Sequence, residues 1–426
     1  MARSSLWDDP AFTRIWTAHS ISQVGTSVTQ FALPLLAVQT LDASNTQVGL
    51  LLGVGTIPLL ILGLFIGVWT DRRRRLPLMI ASDLARMLLI AVIPIAWLLD
   101  ALSLGLLFGV VILLGLFSVQ FDIASQALVN SVLPREHLIT GNARIQTSYA
   151  IADVVGPAGA GLLIRALGVP MAFAVDAVSF GLSAMALIGT RPAERHVDQM
   201  ASLGGHPVRS ILTDIRVGLD FVFRTETLRT LTLGVAVWNL FTAMSRAMLV
   251  IYLLKTLSFS EVTIGLVASA GGLGILAGTF LPNLVTRRLG LGRGILLALG
   301  LSVPAYILVA VASGPFWLTI GMVIVGYVIE QLASSVADIN QFSFRNAVTP
   351  DRLRGRVASG ARVILRSTVP IGFLIGGLVA DHVGLRAAML LGAIGPLLFG
   401  ILILRSPIMS LHALPPDPDD TAPTSS

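Results

Sequence analysis

Four charged side chains stand alone inside long apolar stretches of the sequence: Asp153, Arg246, Glu330 and Arg366. A buried carboxylate holds a proton more firmly than one in water, and a nearby cation opposes that tendency. A carboxylate therefore releases its proton as it approaches an arginine and takes up a proton as it moves away. We predict that these four residues form a proton-coupling site, with Glu330 and Arg246 as its central pair.

The same charges also fit a plainer role, as static ion pairs that hold two helices together. This alternative applies to Glu330 with Arg246 and to Asp153. Asp83 and Arg86 are three residues apart, which places them on one face of a helix. We expect these two to form a local ion pair.

The composition shows which environment must position these charges. Hydrophobic residues make up 54% of the chain and charged residues 12%, against roughly half and about a quarter in soluble domains. The mean hydropathy is +0.84. The chain is therefore predicted to be a membrane protein, in which an ionisable residue inside a span is costly and usually functional.

Several other classes of protein and site are excluded or not expected. The net charge of +6 is spread over short basic clusters between apolar stretches, which argues against a nucleic-acid partner. The chain has no cysteine, and it shows no metal-ligand cluster and no phosphate-binding loop. We expect no cofactor, no metal site and no enzymatic activity. The first residues lack the pattern of a removable signal peptide.

Uncharged segments long enough to cross a bilayer recur along the chain, since a spanning helix needs about 20 apolar residues. The segment from Gly294 to Ile329 is too long for one span, so we divide it at Ser313-Gly314-Pro315. Twelve helices are predicted, near 12–40, 45–70, 76–99, 102–130, 140–164, 170–190, 228–257, 262–286, 294–312, 316–346, 357–380 and 385–405.

Basic residues indicate the orientation, because they are retained on the cytoplasmic side. With the N-terminus inside, 23 of the 29 arginines and lysines fall on cytoplasmic segments or helix ends. Arg165, Lys255 and Arg386 fall outside. Both termini are therefore predicted to be cytoplasmic.

An internal repeat divides the chain into two halves. A shift of 216 residues superposes identical residues throughout, including Gly49 on Gly265, Asp122 on Asp338 and Gly161 on Gly377. Six helices repeated in the same orientation predict two halves related by a pseudo-twofold axis along the membrane normal. The predicted fold class is an all-α membrane protein of twelve transmembrane helices in two six-helix halves.

Two motifs and several longer stretches carry a family resemblance. The loop after the second helix reads GVWTDRRRRL, and the fifth helix contains GPAGAG. The longer stretches are ISQVGTSVTQFALPLLAVQTL, SDLARMLL, LPREHLITGNARIQTS, VDAVSFGLSA and IRVGLDFVFRTETLR. From about residue 10 to 405, the chain resembles the major facilitator superfamily, in particular its branch of macrolide-efflux and enterobactin-exporter proteins.

The resemblance implies roles for both motifs. Gly67, Asp71, Arg72 and Arg75 match the signature loop, in which a glycine lets helices approach, an acid caps a neighbouring helix and arginines pair across a cytoplasmic gate. Asp122 and Asp338, near the inner ends of two helices, either pair with the loop arginines at this gate or anchor the helix ends. The second half keeps arginines at the corresponding loop but lacks the acid.

The fifth-helix motif is similar to the Gly-Pro-x-x-Gly-Gly motif of the superfamily's exporters, through Gly156, Pro157 and Gly161. Ala160 stands where a glycine is usual. A proline and close-packed glycines suit a bend pressed against another helix. Ordinary packing of small residues is the alternative.

Polar and aromatic residues predict a substrate cavity. The first helix is unusually polar and is expected to border water, and the repeat superposes Gln23 on Asn239 and Gln30 on Arg246. His19 either titrates near neutral pH or is a hydrogen-bonded packing residue. The aromatic residues either line the cavity or face lipid. The predicted cavity residues are His19, Gln23, Thr26, Gln30, Trp238, Asn239, Phe241 and Tyr327.

The predicted domains are an N-terminal half (1–190), a cytoplasmic linker with an amphipathic helix (191–227), a C-terminal half (228–405) and a disordered tail (406–426). The chain is predicted to be a monomeric, proton-coupled exporter of small amphipathic compounds, such as drugs, macrolides or siderophores, in a bacterial inner membrane. Its partners would be the substrate, protons and the lipid bilayer. The alternatives are a proton-symport importer of a nutrient and a membrane sensor that does not transport.

Overall fold

A computed structural model describes residues 10–71, 73–190 and 207–410, and its regular structure in these ranges is helical. Shorter 3₁₀ turns occupy Arg135–His137, Asp351–Leu353 and Pro407–Ser410, and a π-helical turn occupies Tyr252–Thr256. The α-helices are α1 (Pro10–Gln39), α2 (Asn45–Asp71), α3 (Arg75–Leu98), α4 (Leu104–Val132), α5 (Leu138–Leu167), α6 (Val169–Leu187), α7 (Pro207–Arg224), α8 (Glu226–Ile251), α9 (Glu261–Thr279), α10 (Pro282–Leu289), α11 (Leu291–Ala310), α12 (Phe316–Val348), α13 (Arg354–His382), α14 (Leu385–Ile394) and α15 (Leu397–Leu404).

Within the described residues, twelve helical spans are long and apolar enough to cross a membrane, which agrees with the predicted number. The division at Ser313 is also confirmed, because α11 ends at Ala310 and α12 begins at Phe316. Two predicted spans are interrupted. The span 262–286 ends at Thr279 and resumes as α10 at Pro282, and the last span breaks between α14 and α15 at Gly395-Pro396. Proline opens α10 and directly precedes α15, as expected of a residue that lacks an amide donor.

The internal repeat is visible in the backbone itself. The 3₁₀ turns Arg135–His137 and Asp351–Leu353 are 216 residues apart. Left-handed residues recur at the same offset, at Asp42 (φ 48°) and Ser258 (φ 54°), and at Gly168 (φ 86°) and Gly384 (φ 112°). The agreement of irregular features confirms two six-helix halves, since such positions are set by the sequence of each half and not by helix geometry.

The described chain forms two compact units whose boundaries cut through helices. The first comprises Met1–Ala43, Val54–Pro207 and Phe259–Ser269, and the second comprises Ser44–Gly53, Val208–Ser258 and Ala270–Ser426. The first part of α2 therefore packs within the second unit, and the first part of α9 within the first.

In the first unit, α1 is a central helix and packs mainly against α5 and α6. Its polar residues are largely buried, contrary to the expectation that this helix borders water. The reason is that its hydroxyls find partners inside the protein: Ser20 bonds Ser148 of α5 (2.7 Å) and Thr29 bonds Asp176 of α6. The apolar core beside it contains Phe12, Ile15, Ala18, Leu78, Met79, Phe121, Ala124, Leu128, Val129, Leu133 and Leu187.

In the second unit, the predicted amphipathic segment forms α7, which docks on the beginning of α13. Asp214 forms an ion pair with Arg356 (2.8 Å), and Gly218 lies directly against the Arg356 carbonyl. Val222 is buried in a small apolar cluster with Leu228 and Val357. The apolar stripe of this helix is thus used at least partly for packing on the protein.

Large apolar side chains are exposed along the spans, among them Leu88 (65%) on α3 and Trp317 (80%) on α12. Exposed apolar surface on this scale is typical of helices that face lipid.

Candidate functional site

The first six-helix half contains a fully buried ion pair. Asp83 and Arg86 of α3 pair directly, as expected from their spacing, and Asp83 also accepts a hydrogen bond from Ser183 of α6 (2.7 Å). The Arg86 guanidinium lies between the rings of Phe121 and Phe180, 4.2 and 4.3 Å from their centroids. Both aromatic faces attract the cation. The pair is therefore held in one place by α3, α4 and α6.

A second buried carboxylate in this half is Asp176 of α6, which is not exposed at all. It accepts hydrogen bonds from Thr29 of α1 and from Ser179 one turn along its own helix (2.9 Å). Gly25 of α1 leaves the room for this carboxylate, because a Cβ there would collide with Asp176 and Ser179. The site is thus built by the sequence of α1 as well as by that of α6.

His19 of α1 is buried among aromatic rings. It stacks on Phe121 and meets the edge of Tyr149, and its Nδ1 lies 3.4 Å from the Ser125 hydroxyl. This environment favours the packing interpretation of His19. The Tyr149 hydroxyl donates to Asp122 of α4 (3.3 Å).

In the second half, Glu330 of α12 is fully buried. Its Oε1 accepts a hydrogen bond from Ser334, one turn along the same helix (2.7 Å). Arg246 of α8 and the buried Tyr306 of α11 act on the same carboxylate. The structure therefore brings the two residues of the predicted central pair into one electrostatic cluster.

Among the described residues, Arg246 and Glu330 form no direct ion pair, and Arg246 influences Glu330 electrostatically. Asp338, about two helical turns beyond Glu330, interacts electrostatically with Arg246 and with Arg366 of α13. This arrangement does not match the alternative of a tight static pair between Glu330 and Arg246. One arginine instead lies within reach of two carboxylates, Glu330 and Asp338.

The remaining charges of the spans lie on exposed faces of their helices: Asp122, Asp153, Arg246, Asp338 and Arg366. A charged side chain in the middle of a span does not face hydrocarbon. These faces must therefore meet water or protein. Of the four predicted proton-coupling residues, the second half brings together Glu330, Arg246 and, through Asp338, Arg366, whereas Asp153 belongs to the other unit.

Two of the predicted cavity residues are aromatic side chains of α8. Trp238 is buried in the core of the second half, edge to face with Phe399 (6.3 Å), because the apolar face of α8 turns toward α15. Phe241 packs against Gly395, where the break between α14 and α15 makes space for its ring. Trp238 is thus a core residue in this structure, whereas Phe241 is half-buried and its cavity role stays a prediction.

The other predicted cavity residues are divided between buried and exposed positions. Gln23 is buried, and Thr26 is half-buried with its hydroxyl bonded to the Ser22 carbonyl (2.9 Å). Gln30 is exposed, like Arg246 at the equivalent position of the repeat. Asn239 donates to the Leu365 carbonyl of α13 (3.2 Å).

Tyr327 of α12 is half-buried, close to Arg246, and its ring lies against Gly271 of α9. Of the predicted cavity residues, Thr26, Gln30, Asn239 and Tyr327 therefore keep both an accessible surface and a polar group, as does Arg246 of the predicted proton-coupling site.

The predicted gate is only partly within the described residues. Arg72 lies outside them, and the side chain of Asp71 is not described. A Cβ on Gly67 would meet nothing within 4 Å, so the close helix approach implied by the resemblance is not made there. Arg75 begins α3. The gate roles of Asp71, Arg72 and Arg75 stay predictions, as do those of Asp122 and Asp338.

The fifth-helix motif makes close contacts within the first unit. Gly156 lies against Ser27 of α1, and Gly161 lies against the beginning of α9, where a Cβ would come within 2.6 Å of the Glu261 carbonyl oxygen. The Ala158 amide donates to the Ser269 hydroxyl (3.0 Å). The glycines of this motif therefore let α5 and the beginning of α9 touch through their backbones.

The second unit contains the repeat-equivalent crossing, between the beginning of α2 and α13. A Cβ on Gly377 would come within 2.5 Å of the Asn45 carbonyl oxygen. Asp381 of α13 caps the same end of α2, because it accepts hydrogen bonds from the amides of Asn45 (3.0 Å) and Thr46 (2.8 Å). Gly161 and Gly377, 216 residues apart, thus meet the first residue of a helix in the same way.

The twelve spans and the repeated halves agree with the comparisons to known proteins. The profile of the Major Facilitator Superfamily matches residues 15–328. The chain belongs to the Major Facilitator Superfamily. It is therefore a multi-pass membrane transporter, and not an enzyme, as the sequence predicted.

Similar proteins include multidrug efflux pumps. The multidrug efflux pump Tap of Mycolicibacterium fortuitum is 28% identical over 401 residues, which cover 90% of this chain and 92% of that protein. The pump of the same name from Mycobacterium tuberculosis (strain ATCC 25618 / H37Rv) is 26% identical over 438 residues, 98% of each chain. The crystal structure of a bacterial homologue of the iron transporter ferroportin, in an inward-facing state, has a TM-score of 0.73 and 19% identity and covers 94% of this chain and 99% of its own.

Sequence reasoning missed three residues of this transporter's buried clusters: Asp176, Tyr149 and Tyr306. The signal for Asp176 was present, since it is a single acid inside the apolar segment Val169–Leu187. The two tyrosines carried no such signal. A tyrosine in an apolar helix is equally compatible with packing, and its partner depends on which helix lies opposite.

We expect Arg86→Met to destabilise this transporter severely, because it leaves the Asp83 carboxylate buried without its cation. Removal of one partner of a buried pair costs about 3–5 kcal/mol. Thermal unfolding of the purified protein in detergent measures the loss. The double variant Asp83→Leu with Arg86→Met removes both charges and should recover much of the stability. A single variant as stable as the double one would contradict this role of the pair.

Proposed function

We propose that this transporter exports small amphipathic compounds in exchange for protons, by alternating access. Its similarity to multidrug efflux pumps over nearly the whole chain supports export of this class of substrate. The resemblance of the α5 motif to that of the superfamily's exporters supports the same direction. The nutrient importer and the sensor have no comparable support.

The observation that carries proton coupling is the environment of Glu330. The carboxylate is fully buried, yet its hydrogen-bond partner is the hydroxyl of Ser334, which both donates and accepts. Tyr306 offers a second hydroxyl nearby. Ser334 can bond Oε1 in either protonation state, whereas Oε2 is buried and has no hydrogen-bond partner among the described residues, which disfavours the ionised form. Glu330 is therefore suited to exchange a proton within the span.

Arg246 carries a guanidinium whose position controls proton exchange at Glu330. It is exposed on α8 and acts on both Glu330 and Asp338. When the arginine moves closer to Glu330 the ionised form is stabilised, and when it moves toward Asp338 the proton returns. An accessible cation of this kind also senses whether a substrate is present. We propose that Arg246 links substrate binding to protonation of Glu330, with Arg366 holding Asp338.

The orientation and the assembly belong to the same proposal. Both termini are cytoplasmic, as the distribution of arginines indicates, the membrane is the bacterial inner membrane, and the protein acts as a monomer. The segment 191–227, which includes α7, connects the halves 1–190 and 228–405.

The decisive experiment compares accumulation of a panel of amphipathic compounds in cells with and without the transporter. We expect lower accumulation of some compounds in cells that contain it, and loss of this difference after a protonophore collapses the proton gradient. Higher accumulation would indicate an importer. If no compound of the panel differs in accumulation, and purified protein in vesicles transports none of them either, the sensor would be favoured.

A further inference from the structure

The buried carboxylate Asp176 of α6 has no part in the proposed exchange at Glu330. It lies in the other half of the chain, about 10 Å along α6 from the first residue of that helix. An ionised carboxylate at such a position is costly unless a cation neutralises it. The buried cation in its neighbourhood is Arg86, which already forms an ion pair with Asp83.

The partners of the two buried aspartates differ in kind. Asp83 faces the Ser183 hydroxyl and, in addition, a guanidinium, which only donates hydrogen bonds, keeps its charge and so favours the ionised form of Asp83. Asp176 faces the hydroxyls of Thr29 and Ser179, which donate to a carboxylate and accept from a carboxylic acid. Asp83 is therefore a structural carboxylate, whereas Asp176 is satisfied in either protonation state.

The surroundings of Asp176 are formed by three helices. From α3, Arg86 and Asp83 act on it with opposite signs. From α1, Thr29 bonds it and Gly25 leaves it room. The third neighbour, α5, carries Tyr149, Asp153 and the more distant Arg144 and Arg165. The Tyr149 hydroxyl is directed to Asp122, and Asp153 lies on an exposed face.

We propose that Asp176 is a second proton-binding site of this transporter, held between Thr29 and Ser179. The two halves then each contain a carboxylate of the same design, since Glu330 is also buried against a hydroxyl one helical turn away. Proton binding at Asp176 does not depend on the proposed function. Its consequence rests on the proposed proton-coupled export: more than one proton then crosses per transported molecule.

Infrared spectroscopy of the purified protein in detergent tests the site without any substrate. The carbonyl band of a protonated carboxylic acid should lose intensity as the pH is raised, and Asp176→Asn should remove that part of the change. Thr29→Val should shift the titration of the band without removing it, because the carboxyl group stays but loses one hydroxyl partner. Asp220→Asn, the same change at an exposed position on α7, should leave the band as in the wild type.

Transport in vesicles tests the consequence, with ethidium as the probe. We expect Asp176→Asn to halve the number of protons exchanged per ethidium molecule. Should this variant fold poorly, Thr29→Val reports on the same carboxylate. An infrared titration unchanged in both variants would overturn the proposal, and so would a band that persists unchanged at every pH. If Asp176→Asn behaves as expected while Glu330→Gln keeps normal coupling, Glu330 is not the proton carrier of the proposed function, and the proton-binding site at Asp176 is supported.

Discussion

Glu330→Gln should abolish proton-driven export, or reduce it by roughly tenfold or more, the change that corresponds to a barrier higher by about 1.4 kcal/mol. Glutamine has the size and the hydrogen-bonding groups to fill the same buried position against Ser334. It resembles the protonated acid but has no proton to release. The measurement is the rate of ethidium export from vesicles at several values of pH, expressed per folded protein.

Ser334→Ala is the matched control. It removes the hydroxyl that donates to Glu330 and keeps the ionisable group, so export should persist with an altered dependence on pH. The alternative role of Glu330, as part of a static pair with Arg246, predicts instead that Glu330→Gln changes stability but not pH dependence. Wild-type export with wild-type pH dependence in Glu330→Gln would therefore contradict the proton carrier.

The number and type of the helices were predictable because each span is long and strongly apolar. The interruptions at Thr279 and at Gly395-Pro396 were not, although prolines stand at both. Proline is tolerated inside several other spans of this chain, such as α3 and α11. Whether it bends or ends a helix depends on the packing around it, which a single sequence does not reveal.

The candidate site, like the fold, was only partly predictable from the sequence. Isolated charges in apolar segments pointed to Glu330 and Arg246 because the cost of burying a charge is local and large. The aromatic residues could not be assigned in the same way, as the buried Trp238 shows. An aromatic side chain gains energy from burial in a core, a cavity wall or lipid alike. The neighbour that lies opposite the side chain decides among these, and for Trp238 that neighbour is Phe399.

The internal repeat contained more structural information than the motifs. The alignment of Gly161 with Gly377, taken from residue identities, anticipates two backbone crossings of the same geometry. The signature loop, by comparison, predicted a close approach at Gly67 that this structure does not contain. A motif records contacts that are needed anywhere in the transport cycle, whereas one structure contains the contacts of a single conformation.

Gly161→Val should reduce export by at least about tenfold without preventing insertion into the membrane. A Cβ at this position would lie 2.6 Å from the Glu261 carbonyl oxygen, and the obstacle is backbone, which cannot rotate away as a side chain can. The crossing between α5 and the beginning of α9 is then excluded in the form seen here. A transporter that loses one of its conformations cannot complete its cycle.

Gly159→Val is the matched control, because it lies in the same motif and a Cβ there would meet nothing within 4 Å. We expect near-normal export from this variant. Gly377→Val should reproduce the defect of Gly161→Val, since its Cβ would lie 2.5 Å from the Asn45 carbonyl oxygen at the equivalent crossing. Export rates per folded protein for the three variants decide the question. Equal losses at Gly159 and Gly161 would mean that α5 tolerates no added bulk anywhere, and the backbone crossings would then have no specific role in transport.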